Sequence, residues 1–396
     1  MAGNDERAVP SLIQAISIIV PLTIAIRASN NMLMTTIPLL ARYNFHFSNT
    51  LVGILSALIS LMTFISSGLI NSRLRACRRR IAFIASSVIY AITFPLFWLS
   101  SPITVWLLSA VAGFALGFLM PNVITSASLL PDRRARERLL NIYTLALSVS
   151  LILGPAIESL ILRYYGLRES FIFFTVFPIL ALVITPPFVR FPEEDVSGDA
   201  VLSASKVISN PGFIAAVLNI ATYNVVFSFL MAFGGIYAKD SFGVSYSMVE
   251  VLFSLFFVTS FLGRLYLSIR PAERLWPYMA SAVTMTVIGI SLIVLTNNPL
   301  IYAIALLILG IPHGTTYPLS VVSISRAFKP PQHRNAANSL FFSFMMLIGI
   351  VTPTITGYVA DLIGIRDTFI VLIPPVIIAL VLLRKYVRSV DIPPRE

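Results

Sequence analysis

The chain of 396 residues has one cysteine, three histidines and few charges, only 11% of its residues being Asp, Glu, Lys or Arg. Cys77 alone can form no intrachain disulfide and no thiolate cluster. An enzyme working inside a membrane would need two facing acids, a serine with a histidine partner or a metal cluster, and no such grouping is discernible. No cofactor is implied. Charge this sparse also fails to cover a water-soluble surface, since 57% of the residues are hydrophobic and the mean hydropathy is +0.89. The surrounding solvent is therefore lipid. The formal net charge of +11 comes from short basic clusters between apolar runs, which orient a membrane protein rather than build a nucleic-acid face.

A span across a ~30 Å hydrocarbon core takes roughly 20 apolar residues. Runs of that length, bounded by charge or by Pro, Gly and Asn, fall at about 13–40, 50–71, 81–99, 103–128, 140–162 and 170–189. Six more fall at about 213–237, 247–268, 276–295, 299–323, 337–359 and 368–387. The expectation is an all-α membrane protein of twelve transmembrane helices. A polar segment over 191–211, with Glu193, Glu194, Asp195, Asp199 and Lys206, separates a bundle over 1–190 from one over 212–396. The first run follows Asp5, Glu6 and Arg7 rather than a basic leader, so it is read as a retained helix.

Counting Lys and Arg in alternate loops puts 22 of the 28 on the side of the amino terminus, five on the other side and Arg27 inside a span. That asymmetry predicts a plasma-membrane protein with both termini and the 191–211 linker cytoplasmic.

The most specific signal is an internal repeat. Gly113, Gly117, Pro121, Ser126 and Ser128 match Gly310, Gly314, Pro318, Ser323 and Ser325, each pair 197 residues apart, as are Pro102 and Pro299 and the bases Arg42 and Lys239. Past the following loop the offset is 198: Pro155 matches Pro353, and the run from Gly166 to Phe171 matches that from Gly364 to Phe369. Six helices is an even number, so the two six-helix repeats are parallel.

With these residues the chain resembles the major facilitator superfamily over its whole length. After the second helix, Gly68, Arg73 and the run Arg78-Arg79-Arg80 keep parts of that family's G-x-x-x-D-R-x-G-R-R loop, with Ser72 in place of the Asp that latches the closed state and Arg75 in place of the second Gly. Gly154-Pro155 is similar to the core of a drug/proton antiporter motif, with Glu158 and Ser159 at its usual glycine pair. The resemblance implies a secondary transporter working by alternating access, with the first, fourth, seventh and tenth helices lining a central cavity.

Polar residues on those helices are the candidate binding set: Arg27, Asn30 and Asn31 on the first, Asn122 on the fourth, Tyr223 and Asn224 on the seventh, His313 and Tyr317 on the tenth. Glu158, Arg73, Pro121 and Pro318 are the candidates for coupling or gating. Arg27, in mid-span, pairs either with Glu158 or with a substrate anion. His313 is either a transport residue or a neutral imidazole bonded across helices. No midplane acid is visible, so a coupling proton has Glu158 or no carrier. The repeat position of Arg27 is Asn224, which gives one central charge and the expectation of a small organic monoanion. Efflux of drug-like compounds is the second reading and a receptor or channel the third. The expected partners are a small-molecule substrate, a coupling proton and the bilayer, around a monomer. With Cys77 replaced, a cysteine at Ser197 should stay unlabelled by an impermeant maleimide in intact cells; labelling there would reverse the topology.

Overall fold

The computed structural model describes residues 12–74, 76–127, 132–188, 204–329 and 331–392. Among the described residues, twelve helices are long and apolar enough to cross a membrane. The first six are α1 (Leu12–Tyr43), α2 (Asn49–Ile70), α3 (Ala76–Leu96), α4 (Thr104–Ala127), α5 (Arg133–Ile161) and α6, which runs as Leu167–Phe174 and Val176–Phe188. The second six are α7 (Pro211–Phe242), α8 (Tyr246–Ile269), α9 (Leu275–Leu295), α10 (Pro299–Ala327), α11 (Pro331–Ile363) and α12, as Ile365–Val371 and Ile373–Val387. Most of the 191–211 linker lies outside the described residues; within it Ala204–Ile208 is a short helix.

Local chemistry starts these helices where the sequence places turns. Ser48, Ser245 and Asn298 cap the amino ends of α2, α8 and α10, accepting from Leu51 N, Met248 N and Leu300 N. Pro211 and Pro299 stand at first helical positions, where a missing N–H costs nothing. Two single-turn π segments, Ile65–Ile70 in α2 and Leu230–Gly234 in α7, interrupt the α pattern.

The repeat seen in the sequence is a repeat of contacts. In the first six helices α1 packs on α5 and α6, and α4 on α2 and α3; in the second six α7 packs on α11 and α12, and α10 on α8 and α9. Glycines set the closeness of the two α4-type helices. A Cβ on Gly113 would sit 2.5 Å from Ile59 O and one on Gly117 2.5 Å from Thr63 O. Their mates Gly310 and Gly314 stand against Phe256 O at 2.1 Å and Ser260 O at 2.0 Å, partners that are themselves 197 residues beyond Ile59 and Thr63.

Two seams join the sets of six, α2 against α11 and α5 against α8. Both are tied at one end of the bundle. The Asp361 carboxylate accepts from Asn49 N and Thr50 N at 2.8 Å each and from Thr50 Oγ1 at 2.6 Å, capping the start of α2 from the other half. Tyr43 Oη donates to Asp240 at 2.6 Å, and Ser247 Oγ to Ser159 O at 2.8 Å. Further toward the linker end, Arg264 of α8 donates to Ser148 of α5.

Gly53 is the tightest point of the clasped end, its missing Cβ falling 2.0 Å from Pro353 O. Backbone cannot yield as a side chain does, so Gly53→Ala should push α2 and α11 apart at a cost of about 1–3 kcal/mol. Spin labels at His46 and Leu362, both exposed, should then move apart, whereas Gly68→Ala, whose Cβ meets the Phe64 ring at 3.5 Å, should leave them in place.

Candidate functional site

The centre of the bundle is set by charge. Arg27 stands half-way along α1 and is half-buried; its Nη2 lies 3.5 Å from the Tyr143 hydroxyl of α5. The sequence count placed Arg264 in a cytoplasmic loop, and the structure corrects this: Arg264 lies within α8 and its Nη1 donates to Ser148 Oγ of α5 at 3.2 Å. The two guanidiniums, one from each half, are close enough to repel. Tyr317 of α10 lies within electrostatic reach of both and of Tyr143, and keeps 45% of its surface exposed although it stands well inside a spanning helix. Among the described residues neither arginine has a carboxylate partner. The centre therefore holds one more positive charge than the single arginine expected.

Beside the arginines lies an aromatic group. His313 Nδ1 shares a 2.7 Å hydrogen bond with Ser260 Oγ, and its ring stacks on Phe227 at 4.5 Å between centroids. Phe256, Phe257 and Tyr223 complete the ring of neighbours at 5.3, 5.6 and 5.7 Å. The Tyr223 hydroxyl is buried without a hydrogen-bond partner and lies within electrostatic reach of Arg264. A buried donor left unpaired costs about 1–3 kcal/mol.

The other sequence candidates have the following surroundings. Asn30 is half-buried, its Nδ2 3.8 Å from Met34 Sδ, and the Asn31 amide is buried with its Nδ2 unpaired. Asn122 forms a reciprocal amide pair with Asn71, at 3.0 and 3.4 Å, inside the first half. Asn224 donates to Met345 O at 3.3 Å, tying α7 to α11. Glu158 is fully buried near the clasped end, accepts from Thr36 Oγ1, and does not pair with Arg27. Arg73 is exposed at the end of the turn after α2, and Pro121 and Pro318 lie inside unbroken α4 and α10. Arg264 is the residue that the sequence reading missed, although position 264 falls inside the apolar run 247–268.

Two like bundles of six helices about a polar centre form the architecture of a membrane transporter. The chain belongs to the Major Facilitator Superfamily, whose model matches residues 19–329 and also 217–396. Solved structures with this fold include a bacterial homologue of the human lysosomal transporter Spinster, inward-facing and occupied, at 16% identity, covering 96% of each chain with a TM-score of 0.71. The nucleoside transporter NupG aligns at 11% identity over 94% of this chain and 99% of its own, TM-score 0.76. The human organic anion transporter MFSD10 (TETRAN) aligns at 16% identity over 95% and 100%, TM-score 0.67. A curated relative, Multidrug resistance protein 1 of Bacillus subtilis (strain 168), is 21% identical over 211 residues, 52% of this chain and 54% of its own. The chain thus matches about half the length of that relative.

The amide pair gives a check on placement. Asn122→Ala leaves a buried Asn71 amide unpaired and should lower stability by about 1–3 kcal/mol in thermal unfolding. The apparent substrate affinity of the folded fraction should stay within twofold of the parent; a larger loss would put Asn122 in the binding site.

Proposed function

We propose that this transporter resides in the plasma membrane, works by alternating access and carries a small organic anion held between Arg27 and Arg264. The carrying observation is the pair of central guanidiniums, one from each half and within electrostatic reach of each other, neither paired with a carboxylate among the described residues. Two charged forks and the Tyr143, Tyr223 and Tyr317 hydroxyls suit an organic acid with one or two carboxylates, bound bidentately and reached from both halves at once. An anion bridging them would draw the halves together, which couples occupancy to closure. The halves, about 1–190 and 212–396, would rock about Pro121 and Pro318, where a missing amide donor loosens equivalent helices. On the Lys and Arg distribution, the clasped end faces outward and both termini lie in the cytoplasm.

Efflux of hydrophobic compounds is the second reading. It is favoured by the aromatic group around His313 and by the partial likeness to a multidrug resistance protein. Transport by purified protein in proteoliposomes separates the two. Arg27→Gln and Arg264→Gln should each weaken carboxylate binding roughly 10- to 100-fold, the loss of one charge-assisted pair, with Arg27→Lys falling between Gln and the parent. If Arg27→Gln folds normally and carries neutral or cationic compounds as well as the parent does, the efflux reading replaces the anion reading.

A further inference from the structure

The seam between α5 and α8 holds two acids that the substrate site does not use. Beyond the Arg264–Ser148 contact, these antiparallel helices are joined where Ser247 Oγ donates to Ser159 O at 2.8 Å and Ser254 Oγ to Ile152 O at 3.1 Å. Glu158 and Glu250 fall between those contacts, one from each half, and both side chains are fully buried. Thr36 donates to one oxygen of Glu158; its other oxygen and both oxygens of Glu250 have no donor. Thr35, beside Glu250, donates to Asn31 O at 3.2 Å.

The charged and titratable groups of the packed elements are engaged elsewhere. On α1, Arg27 reaches Tyr143, Arg42 donates to Phe47 O at 3.1 Å and Tyr43 donates to Asp240. On α7, Lys239 lies over the Tyr246 ring of α8 at 4.2 Å, and Arg264 of α8 is held by Ser148. Arg163, beyond α5, lines a surface hollow with Ser245 and Val251. Glu250 is the charged neighbour that acts on Glu158. The repeat sharpens the contrast, because the mate of Glu250 at offset 197 is Gly53, which packs on the Pro353 carbonyl in the other seam.

Two fully buried carboxylates within electrostatic reach of each other cannot both ionise without strong repulsion. We propose that Glu158 and Glu250 form a proton-binding site between the halves: a shared proton holds the clasped conformation, and its release to water on the opening side drives α5 and α8 apart. The proposal rests on the alternating-access reading and names the coupling ion, but it needs no substrate to be tested.

On a Cys77→Ser background, spin labels at Tyr164 and Leu295, exposed residues at the clasped end on opposite halves, report the separation in purified, substrate-free protein between pH 5.5 and 8.5. The separated population should rise at least fivefold with pH in the parent, stay flat and clasped in Glu158→Gln/Glu250→Gln, and rise as in the parent in Glu273→Gln, an exposed acid away from the clasp. Should the double variant fail to fold, Glu158→Gln and Glu250→Gln separately carry the test, since either removes one of the two charges and must flatten the response. A parent without pH response, or a glutamine variant that keeps it, overturns the proposal. Failure of the arginine variants to affect anion transport would leave this result standing.

Discussion

Everything at the centre of this bundle depends on two positive charges that have no negative one. A guanidinium in mid-membrane costs at least ~2.5 kcal/mol even on lenient insertion scales, and the cost grows when a second stands within reach of the first. Hydroxyls of Tyr143 and Ser148 on α5 hold the two arginines in place, one donor from each half on one helix. A hydroxyl dipole lessens the cost without cancelling the charge. The remaining imbalance is an attraction for anions, and it is greatest when the halves bring the arginines closest. On the proposed reading, substrate recognition and domain closure would follow from the same electrostatic deficit.

The clasped end obeys the opposite rule. There each carboxylate that ties the halves has donors: Asp361 collects two backbone N–H groups and a hydroxyl at the start of α2, and Asp240 takes the Tyr43 hydroxyl. The buried glutamates of the α5–α8 seam are the departure, having one hydroxyl donor among four oxygens. Under the two proposals, a seam that lacks cations at its acids would serve ion coupling and a centre that lacks acids at its cations would serve substrate binding, in separate places in the bundle. The pseudo-symmetric seam, closed by Gly53 against Pro353, holds its one described carboxylate, Asp361, fully supplied with donors, so the two seams can bear different parts of the motion.

Much of the fold was legible in the sequence because lipid imposes length and the duplication imposes spacing. The offset of 197 located Gly113, Gly117, Gly310 and Gly314, and the structure gives them one task, close approach to backbone carbonyls at equivalent points. Arg27 was legible because a charge in a long apolar run has no bland surroundings. Arg264 was not: it stands near the end of its run beside Arg270 and Arg274, and so was counted with the loop. Glu250 was hidden in the same way, since hydropathy sees the second turn of a span as its edge, whereas packing of α1 and α5 buries that turn completely. Polar spacing alone could not tell Asn122, absorbed by Asn71, from Tyr223, whose hydroxyl has no partner.

The account turns on where the substrate's charge resides. A density map of the transporter loaded with a heavy-atom-labelled carboxylic acid tests it most directly. The account predicts the carboxylate between Arg27 and Arg264, in contact with both guanidiniums, and the label extending toward Tyr317 or the aromatic group around His313. Density confined to that aromatic group, with both guanidiniums unengaged, would contradict it.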